Sequence, residues 1–114
     1  MTEADVYPLL KDLAGKQVYR YVVKLNAAGE PAIAPPWVVF SLSTTAEDVF
    51  CGSAEEVNAL QIDVYAKTIA EAREIREQAL ICISSFNPGR VIKQQFPDPD
   101  TGLIRAFLEV QIID

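Results

Sequence analysis

One stretch of the chain, residues 59–83, changes its hydrophobic period from two to about 3.6 within a few residues. Leu60, Ile62 and Val64 alternate with polar neighbours, as in a strand that is buried on one face. Thr68 and Glu71 then have the spacing of a capping box, which satisfies two N–H groups at the start of a helix. Beyond Thr68 the apolar residues recur three or four positions apart, as on one helix face: Ile69, Ala72, Ile75, Ala79 and Cys82.

The stretch therefore predicts a strand that leads directly into an amphipathic helix packed on a sheet. Between the apolar positions of the helix lie charged residues that could form an interaction surface, although we expect a solvated face: Glu71, Arg73, Glu74, Arg76 and Glu77. The side chains expected to point into the core are Leu60, Ile62, Val64, Ile69, Ile75 and Ala79.

The remaining elements follow from the same rules. An N-terminal helix is expected to begin near residues 5–7, with Pro8 in its first turn, and to end at Gly15. Besides the strand in residues 60–66, strands are predicted for residues 17–25, 37–43, 90–96 and 103–113. The last two are joined by a turn-rich segment, PDPDTG, and form a hairpin. In the last strand one face is expected to hold Ile104, Ala106, Leu108, Val110 and Ile112, and the opposite face Leu103, Arg105, Phe107, Glu109 and Gln111.

This order is helix, strand, strand, strand, helix, strand, strand. It predicts an α+β fold with a mostly antiparallel sheet of about four to five strands and two helices packed on one face. A chain of 114 residues has the length of a single domain, which we place at 1–114.

Composition narrows the function classes. The net charge of −6 argues against binding nucleic acid through phosphate contacts, which needs a basic surface. No apolar run approaches the roughly 20 residues of a membrane-spanning helix. The N-terminus is acidic and lacks the basic-then-apolar layout of a signal peptide, so synthesis in the cytoplasm is expected and Cys51 and Cys82 are expected to stay reduced.

No constellation of catalytic residues is recognisable. The chain has no histidine, the usual general base near neutral pH and the commonest metal ligand. A phosphate-binding glycine loop, a nucleophile elbow and a Cys-x-x-Cys pair are also missing from the sequence. The sequence therefore predicts a protein that is not an enzyme and that has no cofactor or metal.

Two segments are expected to be loops. Residues 26–36 are rich in proline and alanine, and serve either as an arm that docks on a neighbour or as a lid. Residues 44–58 are mostly polar and carry four acids: Glu47, Asp48, Glu55 and Glu56.

Several motifs resemble those of a family of tailed-phage proteins, the small tail-completion or tail-terminator proteins that join head and tail. The matching segments are YPLLKDLAGKQVY, the Pro-Trp-Val-Val-Phe strand at 36–40, QIDVYAKT with the helix that follows it, and PDPDTGL. The resemblance covers residues 6–110, and the segments 26–36 and 44–58 match least.

The resemblance implies an assembly role. Members of this family form a ring, typically a hexamer, that caps the tail tube and offers a surface to the head connector. The implied partners are further copies of the chain, the tail tube protein and the head connector, and the implied location is the virion tail after assembly in the bacterial cytoplasm. No catalytic residues carry over.

A ring needs two different surfaces on each subunit. The expected surfaces are an exposed sheet edge, the outward row of the third strand and the 26–36 arm, represented by Gln61, Asp63, Tyr65, Ile33 and Trp37. The acids at 47, 48, 55 and 56 are expected to face the lumen through which DNA passes, because like charge prevents phosphate adhesion.

An alternative reading is a ligand-binding or regulatory α+β module with residues 26–36 as its lid. Concentration-dependent rings favour the assembly role, whereas a monomer that binds a small molecule saturably favours the module.

Overall fold

The computed structural model describes residues 1–23, 25–29, 31–48 and 54–113, with the main chain alone for 46–48 and 54–56. In chain order the helices and strands are α1 (Glu3–Leu10), β1 (Val18–Arg20), β2 (Trp37–Asp48), β3 (Ala54–Ala66), α2 (Ile69–Cys82), β4 (Arg90–Pro97) and β5 (Ile104–Ile113). The predicted α+β class and element order are confirmed. Neither helix in these ranges is long and apolar enough to span a membrane.

The five strands form one sheet in the order β1-β2-β3-β5-β4. Three of the four pairings are antiparallel, and only β1 runs parallel to its neighbour β2. The strand predicted at residues 60–66, which leads into helix α2, is part of the central strand β3. It pairs with β2 on one side and β5 on the other.

One face of the sheet and the two helices enclose the core. The alternation predicted for β5 is confirmed, since Ala106, Leu108 and Val110 are fully buried. Val6 and Leu10 of α1 and Ala72 and Ala79 of α2 have no exposed surface either. The largest fully buried core side chains from the sheet are Phe40, Leu60, Ile62, Leu108, Val38, Val64 and Val110.

Helix α2 begins where its cap predicts. The Thr68 hydroxyl accepts a hydrogen bond from the Glu71 N–H at 3.2 Å. The expectation that Ile69 lies in the core is wrong, because its side chain is 45% exposed. It is the first helical residue, in an exposed run at positions 67–70 that precedes the part of α2 lying on the sheet.

Helix α1 begins earlier than expected and ends earlier too. The Thr2 N–H donates to the Asp5 carboxylate at 2.8 Å, so the acid three residues into the helix fixes its start at Glu3, before the predicted 5–7. The helix ends at Leu10 and a separate 3₁₀ turn spans Leu13–Lys16, in which Gly15 has a φ of 62°.

Strand β1 is much shorter than the predicted 17–25. Tyr21 has a φ of 64°, in the left-handed region that a strand cannot use, so the strand ends at Arg20. The chain then crosses over to β2, held on the way by an isolated bridge between Leu25 and Pro31.

The expectation of a loop at 44–58 is wrong. β2 continues to Asp48 and β3 begins at Ala54, and the two pair from Thr44↔Asn58 to Asp48↔Ala54. The pairing of β3 with β5 begins only at Val57, so this hairpin projects beyond the rest of the sheet. The segments 44–48 and 54–58 show no apolar alternation in the sequence, so local pattern does not predict strands there. Cys51 lies outside the described residues.

Candidate functional site

The face of the sheet opposite the helices carries a cluster of aromatic and charged side chains. We call Trp37, Asp63, Tyr65, Phe96 and Arg105 the outer-face cluster. Pairing between strands explains why they meet, since Trp37 lies opposite Tyr65, Tyr65 opposite Arg105, and Arg105 opposite Phe96. Cross-strand neighbours on one face are close enough for their side chains to interact.

Asp63 and Arg105 form the ionic part of the cluster. The Arg105 Nε donates to Asp63 Oδ1 at 2.8 Å, and Gln61 Nε2 donates to the second oxygen, Oδ2, at 2.9 Å. The hydrogen bond to Asp63 raises the pKa of Arg105 above its usual value, against a smaller effect of burial. Both carboxylate oxygens of Asp63 are therefore satisfied within the subunit, as expected for a side chain that is only 6% exposed.

The aromatic part surrounds this ion pair. The rings of Trp37 and Tyr65 are stacked with centroids 5.4 Å apart. The Arg105 guanidinium carbon lies 5.4 Å from the Phe96 ring centre and 5.8 Å from that of Tyr65, within the range of cation–π attraction. Burial raises the pKa of Tyr65, with a smaller opposing effect from Arg105.

A depression of about 430 Å³ lies over this cluster. One of its walls is the chain after β1, including Val22 and Pro31, and the β4–β5 turn supplies Asp98 and Asp100. A second depression of about 300 Å³ continues from it and is lined mostly by apolar side chains, including Ile33 and Pro35. Together they form one continuous trough, since Pro31, Trp37, Asp100 and Thr101 line both depressions.

The predicted interface residues all fall on or beside this trough. Trp37 and Asp63 are 3% and 6% exposed, so they contribute mainly to the subunit's own packing. Gln61, Tyr65 and Ile33 are partly exposed. The row Gln61, Asp63, Tyr65 belongs to the middle strand of the sheet and therefore does not lie at a sheet edge.

The four acids proposed for a lumen are brought together by the hairpin. Glu47 pairs with Glu55 across the two strands, and Asp48 and Glu56 are their neighbours along the chain. The main chain thus brings these four positions to the same end of the β2–β3 hairpin.

Sequence reasoning missed the structural roles of two arginines, Arg105 and Arg76. Arg105 was recognisable only as one polar residue on the outer face of the last strand, because its partner Asp63 is set by the strand register. Arg76, expected on a solvated helix face, is 5% exposed, and that expectation is wrong. Its Nη1 donates to Gln94 O at 2.9 Å and to Gln95 Oε1 at 3.1 Å, which ties α2 to β4.

A further contact joins the first residue of α1 to Tyr21, which follows β1, and Tyr21 in turn to β2. The Tyr21 hydroxyl donates to the Glu3 carboxylate and lies 3.2 Å from Leu42 O. This contact lowers the pKa of Glu3 and raises that of Tyr21.

The chemistry of the outer-face cluster is that of packing within the subunit. Its carboxylate and guanidinium are paired with each other, and its aromatic rings are stacked. No group of three or more Cys, Asp or Glu side chains suited to a metal ion occurs in the ranges that the structure describes.

Comparison with known proteins adds a likeness in structure. No protein-family model matches the chain. No curated protein matches it either. A chain of a solved structure described as "Virion of native gene transfer agent (GTA) particle" aligns with 97% of this chain and 86% of its own length, at a TM-score of 0.53 and 14% identity. At this identity the two chains share a fold.

Proposed function

We propose that this protein is a structural component of a phage-like virion. The observation that carries the proposal is the fold shared with a virion chain over 97% of the sequence. The motifs that resemble tail-completion proteins point the same way, and the outer-face cluster offers surfaces for recognition.

Within the virion, we assign the protein to the joint between head and tail. Copies of the chain form a ring, a hexamer in the family that its motifs resemble, which caps the tail tube and presents a surface to the head connector. The role is one of assembly and not of catalysis, and its location is the virion tail after assembly in the host cytoplasm. The exposed parts of Ile33, Gln61 and Tyr65 contribute to contact between subunits.

The decisive experiment is to measure mass against concentration and salt by light scattering, and to image the largest species by electron microscopy. Rings that bind the ends of isolated tail tubes are the expected result. A protein that stays monomeric at every concentration, even with tail tubes present, contradicts the proposal.

Two parts of the proposal have their own tests. Tyr65→Ala is expected to fold and to lose ring formation, and rings formed as by the unaltered protein would contradict a role for Tyr65 in subunit contact. In a structure of the ring, Glu47, Asp48, Glu55 and Glu56 are expected to face the lumen, and carboxylates on the outer wall would overturn that placement.

A second candidate function rests on the depression of about 430 Å³. Its volume is in the range of small-molecule sites, and the segment around Pro31 forms a wall that acts as a lid. Saturable binding of a small molecule by a protein that is monomeric in all conditions favours this function over the ring.

A further inference from the structure

Strand β2 has an open edge along its second half. β1 pairs only with Val38 to Phe40, and no described strand lies beside the rest of β2 on that side. The Tyr21 N–H donates to Phe40 O at 2.8 Å, so the main-chain groups of Phe40 point to this edge. Main-chain groups of alternate residues in a strand point the same way, and those of Leu42, Thr44 and later even-numbered residues therefore point there too.

Tyr21 divides this edge into a closed and an open part. Its hydroxyl lies 3.2 Å from Leu42 O and covers the edge up to that residue. Beyond it, the outward main-chain groups belong to Thr44, Ala46 and Asp48. These residues pair with β3 through their strand and face no partner strand on the other side within the described ranges.

Strand β4 has the second open edge. It pairs with β5 over Arg90–Pro97 and has no described strand on its other side. Following the alternation across the sheet from Phe40, the even-numbered residues of β4 point their main-chain groups to β5. Those of Val91, Lys93 and Gln95 point outward.

The two edges complement each other. Each offers three outward residues. β4 carries Arg90 and Lys93, whereas the open half of β2 carries Glu47 and Asp48, so their charges are opposite. Within one subunit β2 and β4 run in opposite directions, because the three pairings that connect them (β2 with β3, β3 with β5, β5 with β4) are all antiparallel. A rotation about an axis along the strands therefore brings β4 of one subunit antiparallel to β2 of the next.

We propose that the β4 edge of one subunit pairs with the open β2 edge of the next, through Val91–Lys93–Gln95 and Thr44–Ala46–Asp48, so that the sheet continues from subunit to subunit. The occupant of each edge is a second copy of this chain. This inference rests on the proposed ring and names the surfaces that close it. The contact is head-to-tail, as a ring requires, and it covers strand edges that are otherwise templates for aggregation.

The strand register within the subunit determines how the strands are inclined in such a ring. Val91–Gln95 lies level with Val38–Leu42, and the open part of β2 lies about six residues further along, or about 20 Å. Subunits joined through these edges therefore have strands inclined to the ring axis, as the strands of closed sheets are.

Proline substitutions test each edge separately. Thr44→Pro removes an outward N–H and leaves the inward ladder to β3 intact, and Lys93→Pro does the same on β4. Thr44→Val is the matched control for the first, because it also removes the Thr44 hydroxyl that bonds Asn58 Oδ1 at 2.8 Å. Lys93→Val is the control for the second, because it also removes the ion pair with Glu77.

Both proline variants are expected to fold, with circular dichroism spectra like those of their valine controls. Each is expected to need a concentration at least about tenfold higher for half assembly, since a lost interface donor also leaves a facing carbonyl unpaired. A mixture of the two variants is the sharper test. Thr44→Pro keeps its β4 edge and Lys93→Pro keeps its β2 edge, so together they are expected to form a one-to-one dimer that grows no further.

The possible outcomes separate this inference from the ring itself. Rings from the proline variants at the concentrations of their valine controls would overturn the edge pairing and leave the ring proposal standing. A mixture that stays monomeric would do the same. An unaltered protein that never assembles would overturn the ring proposal and this inference with it.

Discussion

Replacing Arg105 by methionine removes the charged partner of a nearly buried carboxylate and keeps a side chain of similar length. Asp63 is 6% exposed and would retain only the bond from Gln61 to one of its oxygens. Breaking a fully buried ion pair costs about 3–5 kcal/mol. The Arg105 side chain is 27% exposed, so water replaces part of the interaction. A hydrogen bond to a charged group, worth about 1.5–3 kcal/mol, is therefore the better measure.

We expect Arg105→Met to lower the free energy of unfolding by about 2 kcal/mol. For 114 residues, at about 2.1 cal/mol/K of unfolding entropy per residue, 1 kcal/mol corresponds to about 4 °C in Tm. The expected shift is thus about 8 °C, measured by calorimetry and by urea unfolding.

A double-mutant cycle with Asp63→Asn isolates the pair. The double variant is expected to be more stable than the sum of the single losses predicts, by about 1 kcal/mol or more, because residues in contact couple. Arg73→Met, on the exposed face of α2, is the matched control and is expected to change stability by less than about 0.5 kcal/mol. Additive losses, or an Arg105→Met variant as stable as the control, would refute the reasoning.

Three further predictions use the same measurements. Thr68→Ala is expected to cost about 1 kcal/mol by removing the helix cap, whereas Thr68→Ser keeps it, and equal midpoints in urea for the two would contradict the cap. Ile75→Ala, at 8% exposure, is expected to cost about 2–5 kcal/mol and Ile69→Ala, at 45% exposure, less than about 1 kcal/mol, and a larger loss for Ile69 would contradict the burial described. Tyr21→Phe is expected to be less stable than the unaltered protein at neutral pH. The difference is expected to shrink as pH falls from 4.5, the ordinary pKa of a glutamate, through the lower pKa of Glu3 in the folded chain. Because the pKa of Glu3 is lowered in the folded chain, its stabilising contribution is fully present above 4.5 and is lost as the carboxylate is protonated. A difference in stability that is independent of pH would contradict this pairing.

The sequence predicted those parts of the fold that local patterns determine. The Thr68–Glu71 box and the alternation along β5 depend on neighbours in the chain, and the structure confirms both. The long β2–β3 hairpin has no such signal, because its outer segments, 44–48 and 54–58, show no apolar alternation in the sequence. The end of β1 depends on the left-handed conformation of Tyr21, which a tyrosine adopts only in a particular tertiary setting.

The outer-face cluster could be predicted only in part for the same reason. Gln61, Asp63 and Tyr65 belong to one strand, and their common face follows from its period. Their partners Trp37 and Arg105 come from β2 and β5, and the pairing depends on strand register over long sequence distances. No local motif in the sequence indicates that Arg105 lies against Asp63 and Tyr65.

The stacking of Trp37 on Tyr65 gives the protein an optical property of its own. Trp37 is the one tryptophan of the chain, and it is 3% exposed. Its indole fluorescence therefore arises from a single, shielded environment. Excitation energy absorbed by the Tyr65 phenol is transferred to the indole, since the two ring centroids are 5.4 Å apart. Because Trp37 also lines both depressions, a molecule seated beside Pro31 changes the colour or intensity of that emission without any added label.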